Sequence, residues 1–210
     1  MKESLILEII SGLNKYDPED ITILVDKAIL STDIPFIEIT VQINDVDAVN
    51  EGKWRISADS YFSGQISTDT ACFMELTNTH PLLWDYNDLQ ASLYFTGEPD
   101  DIYKLYWDLQ NMHTHLYGAR SGMEKYLNTG RKFDDLLKAQ YGLLANGPKK
   151  LLTKFAGCLQ EHSVKSTIVN ERKPSFWNGH KHVAQLGELS LLLIGDSYFI
   201  ADEFRVETIT

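Results

Sequence analysis

Residues 89–117, LQASLYFTGEPDDIYKLYWDLQNMHTHLY, constrain the fold more than any other stretch of this chain. Leu89, Ala91, Leu93 and Phe95 alternate as one face of a strand. After Thr96-Gly97-Glu98-Pro99 the period lengthens, and Ile102, Leu105, Tyr106, Leu109, Met112 and Leu116 fall on one helical stripe. A strand and a helix in direct succession, each with one apolar face, must bury those faces against other elements. The chain before this step reads mostly as strands and the chain after it mostly as helices. The expected class is therefore α+β: a largely antiparallel sheet, a meander plus a C-terminal hairpin, packed against N-terminal and central helices.

Taken from the start, residues 2–14 read as a helix burying Leu5, Ile6, Ile9, Ile10 and Leu13. Asp17-Pro18-Glu19-Asp20 resembles a helix start, with a capping Asp, a proline suited to the first helical position and acids near the positive end of the dipole. It predicts a second helix with Ile21, Leu24, Val25, Ala28 and Ile29 inward, ending before Asp33-Ile34-Pro35. From Phe36 the period is two: Ile37, Ile39, Val41 and Ile43 form one strand face. Trp54, Ile56 and Ala58 form another after a turn at Asn50-Glu51-Gly52. Residues 61–66, 72–76 and 89–95 are further strands, and the short gaps between them favour antiparallel pairing.

Beyond the central step, a short helix is expected over 123–127 and another carrying Phe133, Leu136, Leu137 and Leu144. Gly147-Pro148 then separates it from a helix with Leu151, Leu152, Phe155, Ala156 and Leu159 buried. A strand at 164–169 and a polar aromatic loop at 171–185 precede a hairpin, 188–194 and 198–206, turning at Gly195-Asp196.

A chain of 210 residues, 43% hydrophobic and 23% charged, can bury a core without staples. With no linker or repeat in view, residues 1–210 are expected to form a single domain. The apolar runs are too short to span a bilayer and the first residues carry no secretory pattern, so a cytoplasmic location is expected. Cys72 and Cys158 form no paired motif and read as buried thiols. The net charge of -11 opposes unspecific binding to nucleic acid or an anionic membrane. That charge is uneven: residues 118–182 hold 12 Lys and Arg against 5 Asp and Glu, while the rest is acidic.

Motifs of chemistry are near misses. The run from Gly142 to Gly147-Pro148-Lys149-Lys150 echoes a phosphate loop, but proline stands where lysine must follow the glycine, no Ser or Thr follows, and a helix is expected ahead of it. Ser121 lacks the glycine frame of a nucleophile turn. His113 and His115 point about 200° apart on a helix and cannot share a metal. His180 and His182 would point the same way in extended chain, yet no third ligand is identifiable and Lys181 lies between them. Asp59, Glu75, Asp85 and Asp88 could be paired carboxylates only if the fold joins them. No cofactor and no metal are expected.

Two functions remain. In the first, the chain is a non-enzymatic interaction module whose acidic face binds a basic protein partner through Trp84, Asp85, Tyr86, Asp88, Asp100 and Asp101, with Tyr94 and Glu98 nearby. Small, acidic and without a catalytic signature, it is similar in composition alone to bacterial immunity proteins that neutralise toxins. In the second, the chain is a small-molecule enzyme or binder. A basic cleft of Arg120, Lys125, Arg131 and Lys132 would then hold an anionic ligand, with His180 or His182 carrying a proton.

Overall fold

The structure is a computed structural model that describes residues 3–45, 48–128, 130, 132–177, 182–184 and 188–209. In chain order, α1 (Glu3–Leu13) precedes β1 (Ile21–Ile29), β2 (Phe36–Asp45), β3 (Ala48–Asp59), β4 (Ser63–Gln65) and β5 (Met74–Thr77). Next come α2 (Trp84–Asn87), β6 (Gln90–Thr96), α3 (Ile102–Tyr117), α4 (Phe133–Lys138), β7 (Tyr141–Pro148) and α5 (Lys149–Glu161). β8 (Lys165–Arg172), β9 (Ser175–Trp177), β10 (His182–Ala184), β11 (Ser190–Ile194), β12 (Ser197–Ala201) and β13 (Glu203–Thr208) follow. The fold is α+β with antiparallel sheets packed with helices. The chain divides into two compact units, one of Met1–His80 with Gly187–Thr210, the other of Pro81–Leu186.

In the first unit, alternation of β-branched residues drives the pairing. Ile37, Ile39 and Val41 of β2 are buried, and β2 pairs with β1 and β3 in the meander expected from the period of two. The sheet order is β1-β2-β3-β13, and a second sheet runs β4-β12-β11-β5. Residues of both sheets and Ile6 and Leu13 of α1 share one core. Across the first sheet, Arg55 joins its register partners, bonding Glu38 at 2.6 Å and Glu207 at 3.3 Å. The hairpin turns at Gly195-Asp196 as expected, Gly195 supplying the left-handed φ of 53°. Its second strand then breaks at Asp202: β12 stays in the second sheet and β13 joins β3 in the first.

The second unit is built on the central β-to-α step. β6 is the middle strand of a sheet ordered β7-β6-β8, and Ala91, Leu93 and Phe95 are buried as the alternation requires. The α5 stripe of Leu151, Leu152, Phe155 and Leu159 is fully buried, and α5 packs on all three strands. α3 buries Leu105, Leu109, His113 and Tyr117.

Several local expectations are corrected. Residues 21–29 form β1, not a second helix, and Pro18–Asp20 is a single 3-10 turn that Asp17 does not cap with its side chain. The reason is pairing: ITILVDKAI is rich in β-branched residues, and β2 supplies a partner from Ile21 to Ile29, interrupted only by an irregularity at Asp26. After α4 the chain becomes β7, so Leu144 lies on a strand and Gly147 ends that strand and not a helix. The chain after the central step is thus not mainly helical. The near-miss phosphate loop has no loop at all, because β7 runs directly into α5 with Pro148 at the helix cap. Trp84 and Tyr86 sit on the short helix α2. Cys72 is exposed and Cys158 half-buried, so neither is a fully buried thiol.

Candidate functional site

The acidic and aromatic residues around α2 and α3 all belong to the second unit, and the fold assigns most of them internal work. α2 is held at its end by Gln90, whose side-chain amide donates to the carbonyls of Trp84 (3.3 Å), Asp85 (3.2 Å) and Asp88 (3.4 Å). Asp85 Oδ2 accepts from Lys125 Nζ at 2.5 Å and from the Tyr126 hydroxyl at 3.0 Å. Asp88 Oδ2 accepts from the Lys150 backbone N–H at 2.7 Å, serving one of the donors that the start of α5 leaves without a helical partner. Trp84 meets Tyr117 edge-on, with ring centroids 6.2 Å apart. Tyr86 is half-buried.

Asp101 caps α3, its Oδ1 accepting from the N–H groups of Tyr103 (2.9 Å) and Lys104 (3.0 Å). Asp101→Ala is expected to destabilise the protein by about 0.5–2 kcal/mol, measured by urea unfolding. Asp100, next to it, is exposed. The structure therefore brings Trp84, Asp85, Tyr86 and Asp88 together on and just after α2, and sets Asp100 and Asp101 apart at the head of α3.

Behind α2 lies a buried aromatic group. His113 and Tyr117, one helical turn apart, stack at 4.6 Å and 17°, and Tyr126 packs within 5.8 Å of both rings. Residues 126 and 128 bond to β7 through Asn146 N–H to Tyr126 O (2.9 Å) and Asn128 N–H to Leu144 O (2.8 Å). β7 approaches so closely at Gly147 that a Cβ there would lie 2.7 Å from the Tyr126 ring. The His113 Nε2 and the Tyr117 hydroxyl are buried without hydrogen-bond partners among the described residues. Burial pushes both tyrosine hydroxyls well above their usual range.

Burial also holds the His113 imidazole below its ordinary value of 6.5, with Glu124 opposing the effect and Lys125 reinforcing it. The unfolded chain then takes up a proton that the folded chain resists, so this histidine's contribution is fully present above 6.5 and is lost as pH falls below it. His113→Phe is expected to shrink the stability difference between about pH 7.5 and about pH 5.5, read from urea midpoints. An unchanged difference would show that His113 is not the group responsible.

The opposite side of α3 is different. Tyr103 and Trp107, spaced i and i+4 and so adjacent on the helix surface, are 81% and 63% exposed. Tyr106, expected on the buried stripe, is 42% exposed and leans on Phe133 with centroids 5.0 Å apart. Asp108 follows on the same helix and pairs with His162 at 2.8 Å. Sequence reading passed over Tyr103 and Trp107, although two large aromatics off the apolar stripe were a signal in plain view.

Of the basic set, Lys125 is committed to Asp85 and Lys132 stands just before α4. Arg120 carries its Nε buried within the second unit. Arg131 and His180 lie outside the described residues, and His182 is described only by its backbone in β10. Among the described residues no three His, Cys, Asp or Glu side chains gather as metal ligands, and no helix is long and apolar enough to cross a membrane. The chain matches no family model, no curated protein and no solved structure.

Proposed function

We propose that this protein is a non-enzymatic interaction module that captures a basic protein partner on an acidic, aromatic face led by α3. The observation that supports this most is the exposure of Tyr103 and Trp107 beside Asp100. Large aromatics left in water by a folded helix offer contact area at low entropic cost, and such residues dominate binding energy where they are found at interfaces. Glu98, Asp100 and Asp101 give the start of α3 a local negative potential. A Lys- or Arg-rich surface would meet that potential favourably and could place its cations over the aromatic rings. Nucleic acid would be repelled by the same charge.

The reading is tested by native mass spectrometry of the protein purified gently from its own host, followed by calorimetry with whatever basic protein co-purifies. Raising ionic strength from about 0.01 M to about 0.15 M shortens the screening length from about 30 Å to about 8 Å, so affinity should fall clearly over that range. A co-purifying protein that is acidic, or an affinity indifferent to salt, would argue against the proposal.

A further inference from the structure

The first unit contains a cavity of about 360 Å³ between α1 and the sheet, walled by Ile9, Leu13, Val41, Ile43 and Trp54 and opening to solvent. Its size falls among those of small-molecule sites, and its lining is mostly apolar. Two glycines keep it open. Gly12 lies in the last turn of α1, one turn from Ile9, and a Cβ built there meets nothing within 4 Å. A glycine inside a helix costs stability relative to almost any other residue, and here it also forgoes the apolar side chain that the stripe would accommodate. Gly52, on the facing strand β3, allows the Trp54 indole to lie across the backbone, where a Cβ would overlap its ring. The indole thereby becomes a wall of the cavity instead of filling it.

The rim is polar. Glu51 is held by Gln42 at 3.1 Å and by Lys53 at 3.5 Å, so its charge is already engaged. The carboxyl stays below its usual range because Gln42 and then Lys53 favour the charged form. Lys15, also on the rim, is exposed and pairs with no acidic side chain among the described residues. Among the described residues, the combination is an apolar pit with a cation at its mouth that pairs with no acid.

We infer that this cavity binds a small amphipathic anion, its apolar body lodged between Leu13, Ile43 and Trp54 and its carboxylate at Lys15. Burying the body removes ligand and pocket surface from water together, which supplies the main driving force. Lys15 selects the head group and adds a smaller, salt-sensitive part. The site is separate from the face on α3 and does not depend on it.

The test is calorimetric titration of the full chain with decanoate and with decanol. Decanoate is expected to bind with one-to-one stoichiometry. Gly12→Leu should weaken both ligands at least tenfold while leaving the melting temperature unchanged or higher, because leucine is the better helix former. Lys15→Met should weaken decanoate about twofold to fivefold and leave decanol as it was. Absence of saturable decanoate binding, or equal binding by the Gly12→Leu variant, would overturn the site. Unchanged decanoate affinity in Lys15→Met would overturn the head-group assignment. Should Gly12→Leu fail to fold, nuclear Overhauser contacts between decanoate methylenes and the Trp54 ring of the unaltered protein decide the matter: present, they place the ligand here, and absent, they exclude it.

Discussion

Replacing Tyr103 and Trp107 together with alanine is expected to weaken capture of the basic partner by about thirtyfold or more while leaving folding stability nearly unchanged. Both rings stand largely in water, so their removal creates no cavity, and exposed substitutions of this kind usually change stability by about 0.5 kcal/mol or less. At an interface the same rings would be the anchors, and loss of an anchor typically costs about 2 kcal/mol or more. The charged neighbour acts differently. Asp100→Asn should slow association and flatten the salt dependence more than it changes dissociation, because a rim charge steers the encounter. Asp85, Asp88 and Asp101 are poor variants for this purpose, since each carboxylate holds part of the fold. If the double alanine variant binds as tightly as the original, the α3 face is not the interface.

Phe155→Ala should have the largest effect on stability, about 3–5 kcal/mol, measured as a lower urea midpoint. The ring is completely buried, on a helix that packs chiefly against the β7-β6-β8 sheet and α3. Truncation would remove its apolar area from the core and leave a void that flanking Leu151, Leu152 and Leu159, themselves fully buried, cannot close without shifting α5. A cost below about 1 kcal/mol would mean that α5 does not pack on that sheet as described.

The β6-to-α3 step was legible because each half shows a single period and Gly97-Glu98-Pro99 separates them. The helix α5 and the hairpin at Gly195-Asp196 were legible for the same kind of reason, a clean stripe and a specific turn. β1 was not. Ile21, Leu24, Val25, Ala28 and Ile29 fit a helical stripe, while Ile21 and Ile23 are the buried pair of the actual strand. Nine residues satisfy both periods, and only the presence of β2 alongside decides between them. β7 was missed because Leu144 falls in step with Leu136 and Leu137 on a helix, although the chain had already turned at Gln140, whose φ is 63°.

The site divides along similar lines. Asp101 as a helix cap is a local pattern, readable within three residues. The partners of Asp85 and Asp88 stand 40 and 62 residues away, so their engagement is a property of the fold and leaves no mark on either segment alone. Acidity was read correctly as composition, but which acids remain available to a partner was not in the sequence. The exposed aromatics of α3 were.

The break at Asp202 bears on how this protein is made. Strands β12 and β13 each complete a sheet begun more than a hundred residues earlier: β12 lies between β4 and β11, and β13 covers the open side of β3. A ribosome adds roughly 5–20 residues per second, so β3 waits on the order of ten seconds for β13 to emerge. During that interval its unpaired edge is a template for the wrong strand. Residues 81–186 contain all the partners of β6 and can fold while the earlier strands are still waiting. Synthesis order thus gives the later unit the earlier start, and a chain stalled before residue 203 would present an incomplete sheet to the cell's chaperones.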